Sequence, residues 1–432
     1  MTIDRQKFNQ KLDRLTAKNK QILDRFLAGK TDEEIRQGLN LASRDSVRQH
    51  ISKIGRIFQL NNECGANYRY RDELIKIFST YQPDRVALRL RKQSKQPVTI
   101  EYPTGAVPLG SPFYIDRVEA DCVRAIEIPG TLIRIEGPRL TGKTSLVLRV
   151  LDLAIEHYYT PIHIDLRSIE TESLGDIGKF LKWLCVQVGK QLKLESKIDE
   201  YWDVTGAISS CTEYFEEYLL VQTDRPILLG LDEVDRIFLH PQVAEDFLGM
   251  LRSWHDRCQI ESVWHKLRLI VAHSTEIYIP LNINKSPFNV GIPITLPEFT
   301  ATQIEHLANL HQLTESPTLV EQLMSLIGGQ PYLVRLALYH LSQSQITLTQ
   351  LIKEAPTEGG IYRDRLSHYW DLLSQSSTLL TTFQQTISSP EPMQLSRDRT
   401  SAYQLQSMGL VKIQGDLITP SCNLYRQYFL NR

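Results

Sequence analysis

The most constraining feature of this 432-residue chain is a short apolar run, Thr131–Glu136, that breaks into Gly137-Pro138-Arg139-Leu140-Thr141-Gly142-Lys143-Thr144. A helical pattern follows over Ser145–Glu156. This is G-x-x-x-x-G-K-[ST] with a strand before it and a helix after it. Small residues let backbone N–H groups curl around a phosphate chain, and the helix N-terminus adds its positive dipole end. The candidate cradle is Gly137 to Ser145. Within it, Lys143 would supply a point charge to the terminal phosphates and the Thr144 hydroxyl a ligand for Mg²⁺.

A second run, Pro226–Leu231, ends in Asp232-Glu233-Val234-Asp235. A carboxylate at the tip of an apolar strand completes a phosphate site of this kind. Asp232 would hold the Mg²⁺ shell, and Glu233 would orient or activate the attacking water. Lys143 and Glu233 are thus the candidate catalytic residues, with Thr144 and Asp232 as the candidate metal ligands. Asp235 is expected to cap the next helix. A further strand, Leu267–Ala272, ends in His273-Ser274-Thr275. Ser274 or Thr275 is placed to sense a terminal phosphate; the alternative is a hydroxyl that caps the next turn. His273 reads as a satisfied core or rim histidine.

Around this site the pattern is that of a multidomain α/β chain. Over 111–297 strand-like runs alternate with helical ones, the signature of a parallel sheet with crossover helices. Residues 298–357 read as a helical lid. Residues 358–432 read as a winged-helix module, with a helix over Tyr403–Met408 and a hairpin over Leu410–Thr419 turning at Gly415-Asp416. Residues 1–80 read as a helix-turn-helix bundle and 81–110 as a basic linker. Hydrophobic residues are 42% and charged residues 23%, which excludes disorder and low complexity. No run of ~18 apolar residues suggests a membrane span, and the N-terminus lacks a secretory pattern. The six cysteines contain no CxxC pair, arguing against zinc ribbons and for free thiols in a reducing cytoplasm.

The net charge of −1 conceals an asymmetry. Residues 1–100 hold 21 of the 49 Lys and Arg but 11 of the 50 Asp and Glu, a balance of +10 against −11 for the rest. A basic head on an acidic body points to duplex DNA as a partner of residues 1–100. The alternative is that the two parts attract each other. In the head, Leu15-Thr16 opens one helix and Gly29 closes it. Thr31 and Glu34 form a capping box for a second, and Ser43–Ile54 forms a third. Val47, Ile51 and Ile54 are expected in the core. Arg44, Ser46, Arg48, Gln49 and Lys53 would face the major groove or its phosphates. Arg85, Arg89, Arg91, Lys92 and Lys95 of the linker would add phosphate contacts.

Two resemblances follow from these residues. The Leu15-Thr16 start, Gly29 and Val47-Arg48-x-His50-Ile51 resemble the LuxR/GerE helix-turn-helix, and also the one attached to von Willebrand/MoxR-associated signalling proteins. Ser111-Pro112-Phe113-Tyr114-Ile115-Asp116-Arg117, the phosphate site and Gly329-Gln330-Pro331 resemble the AAA-like ATPase domain of the STAND class, in its bacterial, especially cyanobacterial, form. That resemblance implies ATP or ADP with Mg²⁺ as cofactors. It places Tyr114 and Arg117 beside the adenine with Pro331 closing the pocket, and it makes His368 a candidate for an ADP phosphate. Many members end the sensor strand in an arginine, which is absent at His273-Ser274-Thr275, and many carry sensor repeats. The sensor or effector is therefore expected to be a separately encoded protein.

The resemblance implies a slowly hydrolysing switch whose nucleotide state controls conformation and self-association. The alternatives are a DNA-binding transcription regulator with structural nucleotide, and an assembly ATPase that loads on DNA. Arg236, Arg252 and Arg257 are candidate arginine fingers for a nucleotide-dependent homo-oligomer.

Overall fold

The computed structural model describes residues 5–58, 60, 70–87, 100–202, 206–276, 290–313, 318–395 and 399–432. Arg89, Arg91, Lys92 and Lys95 lie outside the described residues, as does the side chain of Arg44.

Among the described residues, five helices form the N-terminal bundle: α1 (Arg5–Asp13), α2 (Ala17–Leu27), α3 (Asp32–Gly38), α4 (Arg44–Ile57) and α5 (Tyr70–Tyr81). Their starts follow from local chemistry. Thr16 accepts from the Asn19 N–H, and Ser43 accepts from the Ser46 N–H. Thr31 and Glu34 close the capping box that their spacing predicts. Gly29, at φ +79°, turns the chain between α2 and α3. The expected core residues Val47, Ile51 and Ile54 are buried, together with Ile22, Leu23 and Ile35. Phe8, Phe58 and Phe78 close this core as a ring cluster.

The central unit holds five parallel strands: β1 (Leu132–Gly137), β2 (Thr160–Asp165), β3 (Ile227–Asp232), β4 (Leu267–Ser274) and β5 (Ile292–Thr295). Their order is β2-β3-β4-β1-β5. Every residue of β3 and β4 is buried. Helices cover both faces, so these strands read as continuous apolar runs rather than alternating ones. Helix α6 (Glu119–Ile126) precedes the sheet, and α7 (Lys143–Glu156) follows the phosphate loop. Strand β4 continues two residues past the expected Ala272 because Glu136 and Gly137 of β1 pair with His273 and Ser274.

The C-terminal unit is helical around a three-stranded antiparallel sheet: β6 (Met393–Gln394), β7 (Val411–Gln414) and β8 (Leu417–Pro420). The β7–β8 hairpin turns at Gly415-Asp416, with Gly415 at φ +63°. One hydrophobic core runs through both halves of this unit, from Leu333 and Leu336 to Leu366, Leu405 and Leu424. It also takes in Phe113 and Ile115 from ahead of the phosphate loop. Among the described residues no helix is long and apolar enough to cross a membrane, and Cys122, Cys185, Cys211, Cys258 and Cys422 are free thiols.

Candidate functional site

The loop between β1 and α7 takes the shape that its glycines allow. Gly137 has φ +154°, and Gly142, the N-cap of α7, has φ +99°. A Cβ on Gly142 would lie 2.6 Å from Arg117 Nη2, so position 142 is restricted twice over. Leu140 takes φ +66°, a region that costs a non-glycine residue about 1–2 kcal/mol. Thr141 Oγ1 donates to Pro138 O at 2.9 Å. Lys143 Nζ donates to Gly137 O at 2.9 Å and Pro138 O at 2.7 Å. Burial lowers the Lys143 ammonium to about 8, against the upward pull of Asp235, Glu233, Glu276 and Asp232. Ser145 Oγ accepts from the Val107 N–H at 2.9 Å, so its hydroxyl anchors the preceding segment as well as lining the site.

The acidic side lies at the carboxyl end of β3. Asp232 is 1% exposed, and its Oδ1 accepts from the Glu233 N–H at 3.0 Å. Its Oδ2 is buried without a hydrogen-bond partner, 3.7 Å from His163 Nε2 on the neighbouring β2. A buried carboxylate oxygen with no donor is a fit for a hydrated cation. Among the described residues no group of three or more His, Cys, Asp and Glu is placed to hold a metal. A cation here would draw on Thr144, Asp232 and phosphate oxygens, the usual manner for Mg²⁺.

Glu233 adopts φ +56°, a sparsely populated conformation that turns it off the strand tip. Burial first, then Asp235 and Asp232, raises its carboxyl above the usual range. Arg167 Nη1 stands 3.9 Å from it, itself held by Asp165.

Asp235 does not cap the next helix. It lies in a 3₁₀ turn, Val234–Leu239, and its Oδ1 accepts from the buried Ser274 N–H at 2.7 Å, tying the ends of β3 and β4 together. Ser274 Oγ in turn accepts from the Glu276 N–H at 3.3 Å. His273 is buried, and burial lowers its imidazole to about 3, so it stays neutral.

Beside the loop is a cavity of about 250 Å³. Tyr114 and Arg117 from one segment and Pro331 from another, both singled out from the sequence, line it. Tyr114 donates to Glu119, which also accepts from the Arg117 N–H at 2.5 Å and the Val118 N–H at 2.9 Å. The Arg117 guanidinium donates to Thr141 O at 2.8 Å and Pro297 O at 2.9 Å, clasping the phosphate loop to the start of the C-terminal unit. Sequence reasoning missed the segment from Glu101 to Pro108, assigned to the linker, which forms one wall. It missed Phe299, Tyr332 and Arg335 as well.

The C-terminal unit meets the loop directly. Thr275 Oγ1 donates to Ser407 O at 2.6 Å, and Gly409 packs so closely on Pro138 that an added Cβ would come within 2.9 Å. Glu276 accepts from Arg365 Nη2 at 2.7 Å, and His368 Nε2 lies 3.6 Å from it.

The candidate DNA residues lie on the bundle. Lys53 is exposed, and Arg48, 43% exposed, stands 3.5 Å from Asp32. Gln49 Nε2 is buried without a hydrogen-bond partner, and the Ser46 N–H donates to Ser43, the N-cap of α4. Ser52 and Gly55 of α4 are buried, and Ser52 Oγ donates to Glu156 Oε2 at the end of α7 at 3.1 Å. Arg85 pairs with Asp24. Of the arginine-finger candidates, Arg236 donates to Leu166 O at 2.6 Å, Arg257 pairs with Glu216, and Arg252 pairs with Asp256. Arg236 therefore points into its own fold rather than toward a neighbour.

Comparison with known proteins bears on the family and the fold. The AAA-like domain family matches residues 102–431. A Walker-type ATPase of Pyrococcus abyssi superposes with a TM-score of 0.55 at 12% identity, covering 78% of this chain and all of that one. A STAND protein with a tetratricopeptide repeat sensor, from Pyrococcus horikoshii, superposes with a TM-score of 0.34 at 14% identity, covering 76% of this chain and 44% of that one. An uncharacterized WD repeat-containing protein of Synechocystis is 25% identical over 294 residues. That match takes in 66% of this chain but 22% of the relative, so the chain spans about a fifth of the relative's length.

Proposed function

Because this chain belongs to the AAA-like domain family, we propose that it is a Mg²⁺-dependent ATP-binding switch with slow hydrolysis. One observation carries the reading. Lys143 lies close enough to Glu233 and Asp232 for both carboxylates to act on its ammonium, Asp232 Oδ2 is buried without a hydrogen-bond partner, and the cavity of Tyr114, Arg117 and Pro331 lies beside the loop. Mg²⁺, when bound, neutralises developing charge on the phosphoryl oxygens. Thr144 and Asp232 would hold it. The Lys143 ammonium balances the terminal phosphates, and the loop amides from Arg139 to Thr144 fix their position. Glu233, with its carboxyl raised, orients the attacking water and accepts its proton. Arg117 couples this chemistry to the C-terminal unit through Thr141 O and Pro297 O.

The output in this reading is conformational, as in the STAND class. The C-terminal unit, a winged-helix lid, rests on Pro138 and Thr275 and moves with the nucleotide state. Self-association and the reach of the N-terminal helix-turn-helix change with it. A separately encoded sensor or effector supplies the signal. Nucleotide titration and phosphate release test the enzyme part. Lys143→Ala is expected to lose ATP binding, and Glu233→Gln to keep binding while turnover drops by ~10²-fold or more. Unchanged turnover in Lys143→Ala overturns the reading.

A second reading concerns the N-terminal bundle alone. The Ser52–Glu156 bond and the buried Gly55 lay α4 against α7. That favours a protein-docking bundle over a DNA reader, because the helix that would enter the major groove is occupied on one side.

A further inference from the structure

Glu276 is a carboxylate held the way an oxyanion is held. It lies two residues past the end of β4, and its side chain is 4% exposed. Oε1 accepts from the Arg139 backbone N–H at 3.1 Å and from Arg365 Nη2 at 2.7 Å. Oε2 faces Arg139 Nε at 3.6 Å and His368 Nε2 at 3.6 Å. Three side chains that carry or can carry positive charge, drawn from the phosphate loop and the C-terminal unit, thus surround one negative charge. Arg365 is 7% exposed and lies 4.1 Å over the Tyr369 ring, so it is fixed in place. A buried carboxylate repays its desolvation only when well-placed partners satisfy both of its oxygens, and here both are faced by donors. The fourth donor is the decisive one, since the Arg139 amide belongs to the loop whose amides cradle phosphate.

We infer that Glu276 is a resident stand-in for a phosphoryl group. The Arg139 amide, Arg365 and His368 form an oxyanion site that the carboxylate fills in this conformation. The terminal phosphate of a nucleoside triphosphate takes the site over, and Glu276 is displaced. A phosphoryl group carries more charge and more acceptor oxygens than a carboxylate, so the exchange is favourable once Arg365 is offered to it. Arg365, from the Arg363–Ser374 helix, then does what no residue of the His273-Ser274-Thr275 strand end can do: it reads the terminal phosphate with a guanidinium. It also joins that reading to the C-terminal unit.

The inference rests on the nucleotide reading above, and its test separates the two. The full chain is titrated with ADP and with a non-hydrolysable ATP analogue at fixed Mg²⁺. Glu276→Gln keeps the shape and removes the competing charge. It is expected to tighten the analogue roughly tenfold while ADP changes by less than about twofold. Arg365→Lys is expected to cut the analogue-over-ADP preference by roughly tenfold, because an ammonium cannot replace the planar fork. If Arg365→Lys does not fold, His368→Gln at the rim of the cluster replaces it, with the same sign and a smaller effect. An analogue-to-ADP ratio equal to wild type in these variants overturns the inference, as does equal weakening of both nucleotides by Glu276→Gln. Wild-type protein that binds neither nucleotide overturns the ATP reading itself.

Discussion

Lys143 is a residue whose chemistry the fold alters strongly. Its amine is buried under the phosphate loop, and burial pulls it down to about 8 despite four nearby carboxylates. In the folded protein the charge is therefore present below about pH 8 and lost as the pH rises through that value. A phosphate chain favours the charged form, so nucleotide binding at higher pH must take up a proton. Affinity is expected to be flat from pH 6.5 to 7.5 and to fall by about tenfold between pH 7.5 and 9.5. Calorimetry in two buffers of different ionisation enthalpy reads the proton uptake directly. Affinity unchanged to pH 9.5 places the ammonium outside the phosphate contacts. Glu233 works in the opposite sense, since burial and two neighbouring acids hold its carboxyl up toward the range where it can take a proton.

At the scale of elements, the instructive pair is α4 and α7. The phosphate loop feeds the N-terminus of α7, and the last residue of that helix, Glu156, receives Ser52 from α4. Burial raises the Glu156 carboxyl, while Arg56 and Arg48 of α4 pull it back. Glu156→Lys sets a like charge against both arginines and removes the acceptor of Ser52. Helix α4 is expected to lose docking worth ~1–3 kcal/mol, seen as about tenfold faster amide exchange over 44–57 with α2 unchanged. Equal exchange in α4 would mean that the two helices touch without holding each other.

Features set by neighbours in sequence were legible in advance: the glycines of the loop, the Thr31–Glu34 capping box, the acid at the tip of β3 and the Gly415-Asp416 turn. What was not legible is held by partners far along the chain. Asp235 is satisfied by an amide on the next strand rather than by its own helix, and Glu276 by an arginine in the C-terminal unit. The wall from Glu101 to Pro108 reads as linker because its two prolines and a glycine report the absence of helix or strand, not where the segment lies.

For the whole molecule, the charge asymmetry and these contacts pull toward different outputs. The balance of +10 in residues 1–100 favours a polyanion, and the docked face of α4 favours a protein. Helix α7 links the two, since its N-terminal end follows the proposed phosphate loop and its last residue meets the bundle, so in the proposed switch the nucleotide decides which output is available. Duplex DNA binding by the full chain, in ADP and in the non-hydrolysable analogue over a salt series, separates them, with light scattering on the same samples. If three or four of the basic groups reach phosphates, the logarithm of affinity falls with the logarithm of salt at a slope of about −3. A slope of that size in one nucleotide state and none in the other makes the basic head a DNA reader gated by the switch. Binding of equal strength in both states makes the nucleotide structural, the position of a transcription regulator. No binding in either state, with particle mass changing between nucleotides, assigns the head to protein contacts, and the asymmetry then serves self-association between a basic and an acidic surface.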